Sequence, residues 1–142
     1  MTQPSPPPSP RSEPAPSWPL TAAAILGLLG VAAGAFGAHG LREIVDAEQL
    51  EWWQTAARYE QIHAVVLLVV AWAPGPWTRA RRISAQAFVV GVLIFSGTLY
   101  AMALGGPRVL GAVTPLGGLG LMAGWACIAV HAQQTRTRAK SG

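Results

Sequence analysis

The side chains best able to do chemistry in this chain are few and far apart. His39, Tyr59, His63, Ser96, Tyr100 and Thr114 offer two imidazoles, two phenols and two hydroxyls, each within or beside an apolar stretch. Thr55, Tyr59 and His63 follow one another at steps of four, so a helix would present them on one face. Gathered at one level, the six would form a polar pocket for a small ligand or a lipid headgroup, with a histidine as proton acceptor. The alternative is that these groups satisfy one another across helix interfaces and fix the packing, and this is the preferred reading.

His39 and His63 on adjacent helices would suit axial ligation of a haem or a metal. No third ligand is placed beside them, and His131 falls at the opposite end, so neither a metal nor another cofactor is expected. Ser96 and Thr98 have no base with an orienting partner at a readable spacing. The chain also holds no phosphate loop and no HExxH motif. The expectation is a non-enzymatic role: structural, lipid-associated or accessory. A small transporter or channel subunit using the His39, Tyr59 and His63 pocket stays open as the alternative, because Glu60 is an acidic group near membrane depth.

Lipid is the medium that must position these residues. Hydrophobic residues make up 51% of the chain and charged residues 11%, where a soluble domain carries about 25% charged. The formal charge is +4, but the basic residues lie between or beyond apolar runs rather than among aromatics, so nucleic acid is not an expected partner. The single cysteine, Cys127, excludes an intramolecular disulfide and a CxxC pair and reads as a small packing residue.

The predicted fold is an all-α, integral membrane four-helix bundle with a disordered proline-rich N-terminal tail over residues 1–19. The spans fall at about 20–39, 54–73, 83–104 and 111–131, followed by a basic tail over 132–142. Leu20 to Ala38 is uncharged and would form about 28 Å of helix. A signal peptide cleaved near Ala38 is disfavoured, because the preceding segment is proline-rich with one basic residue, Arg11, and further apolar spans follow. Asp46, Glu48 and Gln49 before Trp52 and Trp53 read as a capped helix start at the membrane surface. Ile62 to Ala73 is too short to cross alone, so the second span must reach back to about Gln54, and Pro74-Gly75-Pro76 ends it. Arg79, Arg81 and Arg82 form a basic loop, and Thr114 before Pro115 suits an N-cap.

Glycines supply the packing surfaces. Gly27, Gly30, Gly34 and Gly37 share one face of the first span, and Gly117, Gly120 and Gly124 repeat the pattern in the fourth, so the two seams are expected to meet. Four spans put both termini on one side. That side holds Arg11, Arg79, Arg81, Arg82, Arg136, Arg138 and Lys140, against Arg42, Arg58 and Arg108 on the other, which predicts cytoplasmic termini. Membrane lipids, a second copy of the chain or an unidentified membrane protein are the expected partners.

Several motifs stand in a familiar order: Gly34-Ala-Phe-Gly-Ala-His-Gly-Leu41, then Trp53-Gln-Thr-Ala with Tyr59 and His63, then Phe95-Ser-Gly-Thr-Leu-Tyr100, Gly111-Ala-Val-Thr-Pro-Leu-Gly-Gly118 and Ala123-Gly-Trp125. Over residues 20–131 the chain resembles the family of domain of unknown function 423, small bacterial inner-membrane proteins related to the transmembrane protein 256 group. It departs from that pattern at Glu60, where glutamine or histidine would be expected. The resemblance implies four transmembrane helices in a bacterial inner membrane and brings no established reaction, cofactor or catalytic residue.

Reporter fusions test the orientation. A phosphatase fused between Pro76 and Arg79 or after Lys140 is expected to be inactive, and one fused after Asp46 active; activity in the arginine-rich segment would invert the topology.

Overall fold

The computed structural model describes residues 16–141, with side chains as far as Thr137. The proline-rich tail expected over residues 1–19 lies mostly outside them. Its last part is already helical: α1 runs Trp18–Phe36, with Pro19 in the first turn, where a missing N–H costs no hydrogen bond. A π-type turn, Gly37–Leu41, continues α1 and turns Leu41 inward against Trp53 and Ala103.

The second helix, α2, spans Ala47–Trp72, 26 residues or about 39 Å. It begins at the capped start read at Asp46 and Gln49, ahead of the membrane span expected from about Gln54, because these two residues form a capping box. Gln49 N–H donates to Asp46 Oδ1 at 2.8 Å, and Asp46 N–H donates to Gln49 Oε1 at 3.1 Å. Helix α3, Arg79–Ala103, is capped by the Thr78 hydroxyl, which accepts from Arg81 N–H. It closes at Gly105, whose φ of 89° only glycine adopts without strain, with Gly106 N–H returning to the Ala101 carbonyl. A short 3-10 turn, Arg108–Ala112, leads into α4, Thr114–Ser141. The basic segment expected as a tail after residue 131 is the end of this helix.

Three of these elements are apolar and long enough to cross a bilayer: Trp18–Leu41, Arg79–Ala103 and Arg108–Thr137. Helix α2 falls short on composition because Arg58, Glu60, Gln61 and His63 enter the membrane with it. The helices pack in chain order: α2 lies between α1 and α3, and α3 lies between α2 and α4. Among the described residues α4 brings no backbone close to α1 or α2, so the bundle is an open zigzag with a groove on each face. Its outer surface is apolar, with Leu28 73% exposed and Val31, Val65, Leu93 and Leu119 exposed as well, a surface suited to lipid and not to water.

The glycine seams do not meet each other. Those of α1 receive large side chains of α2: a methyl added at Gly30 would stand 2.8 Å from Gln61 Cγ, and one at Gly37 2.6 Å from the Trp53 ring. Those of α4 face α3, where Gly120 lies on Gly91 and Gly124 on the Phe88 ring, and a methyl at Gly117 would overlap the backbone of Phe95. Short connections make sequence neighbours into packing neighbours, so each seam accommodates the helix next to it in the chain.

A paired substitution tests these contacts. Gly117→Ala forces α3 and α4 apart and is expected to destabilise the fold by about 1–3 kcal/mol. Gly97→Ala, where an added methyl meets nothing within 4 Å, is expected to stay within about 0.5 kcal/mol. Thermal unfolding in detergent reads both.

Candidate functional site

The six polar residues singled out in the sequence do not form one pocket. His39 is exposed on the π-type turn and is hydrogen-bonded to none of the others. Tyr59 and His63 lie on the stripe of α2 that looks toward α4. A carbonyl can only accept, so His63 Nδ1 carries the proton that it donates to the Tyr59 carbonyl at 2.8 Å. The His63 ring is buried against Phe88, Trp125 and the Tyr59 ring, with centroids 5.6, 6.4 and 5.9 Å away. Ser96 is used in packing: its hydroxyl donates to the Ala56 carbonyl at 2.9 Å and joins α3 to α2. The Thr114 hydroxyl meets that of Thr98 at 2.8 Å and joins α4 to α3, in place of the expected N-cap bond. Tyr100 turns to the opposite face of the α2–α3 pair, where its hydroxyl donates to Glu60 Oε2 at 2.7 Å.

That opposite face holds a group which sequence reasoning left at the margin. Glu60 is 5% exposed and stands near the middle of α2, about 20 Å from either end. Around it the other donors are already committed. Trp53 Nε1 donates to the Ala33 carbonyl at 2.7 Å and Gln61 Nε2 to the Gly30 carbonyl at 2.6 Å. These two bonds cross from α2 to α1 at the points where the glycine seam lets the backbones approach. The Trp53 and Tyr100 rings lie 4.5 Å apart. Together they edge a groove of about 470 Å³ between α1 and α3, with α2 as its floor.

Arg81 corrects a second reading. Arg79, Arg81 and Arg82 are the first turn of α3 rather than a loop, and Arg81 is only 3% exposed. Its guanidinium donates to the Val70 carbonyl through Nε at 2.9 Å and Nη2 at 2.6 Å, and to the Ala73 carbonyl at 2.5 Å. It also stacks on the Trp77 ring at 4.4 Å. Helix α2 must end at Pro74, which strands its last carbonyls where no lipid can satisfy them, and the planar fork of one arginine answers them while complementing the helix dipole. Thr78, the cap of α3, is bonded to His131 Nδ1 at 2.8 Å, so α4 is joined to the same corner. The pattern Pro-Gly-Pro followed closely by arginine was the available signal, and it read equally well as an orientation charge.

Among the described residues no group of three or more histidine, cysteine, aspartate and glutamate side chains is placed to hold a metal ion. What the arrangement offers chemically is binding: a carboxylate with aromatic neighbours on one face, and a histidine in an apolar and aromatic groove on the other.

The role of Arg81 is separable from its charge. Arg81→Gln leaves buried carbonyls unanswered, at about 1–3 kcal/mol each, and is expected to abolish accumulation of folded protein. Arg79→Gln removes the same charge from an exposed position of the same turn and is expected to leave folding within about 0.5 kcal/mol. Membrane yield and thermal unfolding compare the two.

Comparison with known proteins agrees with the geometry. The family model described as "Protein of unknown function (DUF423)" matches residues 33–118. The chain is 38% identical over 110 residues to a UPF0382 membrane protein of Haemophilus influenzae, covering 78% of this chain and 89% of that one. It is 37% identical over 111 residues to the UPF0382 membrane protein YwdK of Bacillus subtilis, covering 77% and 90%. With the UPF0382 inner membrane protein YgdD of Escherichia coli it shares 38% over 128 residues, covering 86% and 94%. No solved structure matches the chain. The match to this family model and to these membrane proteins, together with three helices apolar and long enough to cross a bilayer, makes this chain a multi-pass membrane protein that belongs to the DUF423 family, whose function is unknown.

Proposed function

We propose that the protein is a non-enzymatic, lipid-associated subunit of the bacterial inner membrane, with both termini in the cytoplasm. The observation that carries this reading is the groove between α2 and α4. It holds about 310 Å³, its walls are Val65, Val66, Val69, Trp125 and Ile128, and Arg81 and His131 close its mouth. The mouth opens at the end of the bundle where Arg79, Arg82 and Arg136 are exposed. An acyl chain suits the walls and an anionic headgroup suits the mouth.

Physical chemistry divides the work between the two parts. An acyl chain that leaves the bilayer for an apolar groove moves between two equally apolar media, so the groove gains shape fit and little else. Selectivity among lipids then rests on the charged mouth, at about 1 kcal/mol for each basic residue near the surface. The cytoplasmic placement of the termini is supported by the same clustering of basic residues. A small transporter or channel subunit built on His39, Tyr59 and His63 has less support, because His39 is exposed and apart from the other two.

Native mass spectrometry of the full chain, released from vesicles of equal phosphatidylglycerol and phosphatidylethanolamine, tests the reading. The expected result is a retained phosphatidylglycerol, with the preference falling about fivefold in Arg82→Gln and retention lost when Val66→Trp fills the groove. Retention without headgroup preference, or no retained lipid, would overturn it.

A further inference from the structure

We propose that the groove between α1 and α3 is a binding site for an amphiphilic organic cation taken from the membrane, with Glu60 as its counter-charge. It is independent of the lipid reading, because it concerns the opposite face of the bundle and the opposite sign of charge.

The argument starts from an incomplete carboxylate. Glu60 lies against Gly30, at the middle of the apolar first helix, and is buried, and Tyr100 occupies Oε2; Oε1 has no partner among the described residues. A carboxylate at that depth needs a partner. The described chain offers none: α1 has no charged residue between Trp18 and Phe36, and α3 has none between Ile83 and Ala103. On α2 itself Arg58 is exposed, and Arg81 is committed to the carbonyls at the end of the helix. Trp53, on the wall of the same groove, and Gln61, the next residue in the chain, donate to the backbone of α1 and not to Glu60. The site therefore keeps an unanswered acceptor.

The surroundings set the class of ligand. The tilted pair of Trp53 and Tyr100 lies beside Glu60 and offers the faces that attract a cation. Leu26, Leu29, Phe36 and Leu93 complete apolar walls, and Leu29 and Leu93 are exposed on the rim, so access is from lipid. The volume of about 470 Å³ lies within the usual range of roughly 300–1,000 Å³ for small-molecule sites. An anion is repelled by Glu60, and a neutral hydrocarbon gains nothing over the bilayer. A positive centre inside an aromatic or alkyl body satisfies the carboxylate, the ring faces and the walls together.

Equilibrium binding of tetraphenylphosphonium to the full chain in nanodiscs tests the proposal, with tetraphenylborate as a competitor of the same shape and opposite charge. Expected are saturable binding near one per chain, no competition by the borate, and at least tenfold weaker binding in Glu60→Gln. Gly97→Leu, which puts bulk into the groove and keeps Glu60 in the chain, is expected to weaken binding as well, so the test does not rest on one variant. Thermal unfolding establishes that each protein assayed is folded. No saturable binding to folded wild-type protein, equal binding by folded Glu60→Gln, or competition by the borate would each overturn the proposal.

Discussion

The structure depends on one constraint: α2 carries polar groups into a medium that cannot hydrogen-bond to them. Its side chains and the carbonyls at its end have to be answered by neighbouring helices, and the answers fix where those helices stand. Gln61 and Trp53 reach the backbone of α1 at Gly30 and Ala33. Tyr100 reaches Glu60 from α3, Ser96 reaches the Ala56 carbonyl, and Arg81 folds back onto Val70 and Ala73. Hydrophobic attraction between helices is weak in lipid, so these bonds and close packing are what orders the bundle.

The glycines follow from the same constraint. A side chain as large as Gln61 or Trp53 can reach a carbonyl of α1 only if that helix presents no Cβ at the crossing, which Gly30, Gly34 and Gly37 ensure. On the other side of the molecule Gly117, Gly120 and Gly124 let α4 lie on the aromatic face of α3, where the Ser84 hydroxyl donates to the Gly124 carbonyl at 2.9 Å. Because α1 and α4 each rest mainly on one neighbour, the bundle stays open on two faces. One groove is lined by the Glu60 carboxylate and the other ends at Arg81 and His131.

Much of this was legible locally. The uncharged runs, the capping residues Asp46 and Gln49, the stop at Pro74-Gly75-Pro76 and the helical spacing of the glycines depend on residues a few positions apart, so four helices could be read directly. Several positions of close approach were legible too, because glycines at helical spacing admit a neighbouring helix, as at Gly30, Gly37, Gly117 and Gly120.

What spacing cannot convey is the rotation of each helix about its axis and the identity of the neighbour it meets. Residues four apart share a face whatever that face touches, so the stripe of Tyr59 and His63 was readable while its separation from Tyr100 was not. Nor could spacing distinguish an arginine that marks orientation from one that closes a helix end, as Arg81 does. The sequence by itself determined the helices, their medium and their narrow points. The tertiary structure alone decided which groups pair across them, because each pairing joins residues about twenty to forty positions apart whose meeting depends on how all the helices around α2 are placed at once.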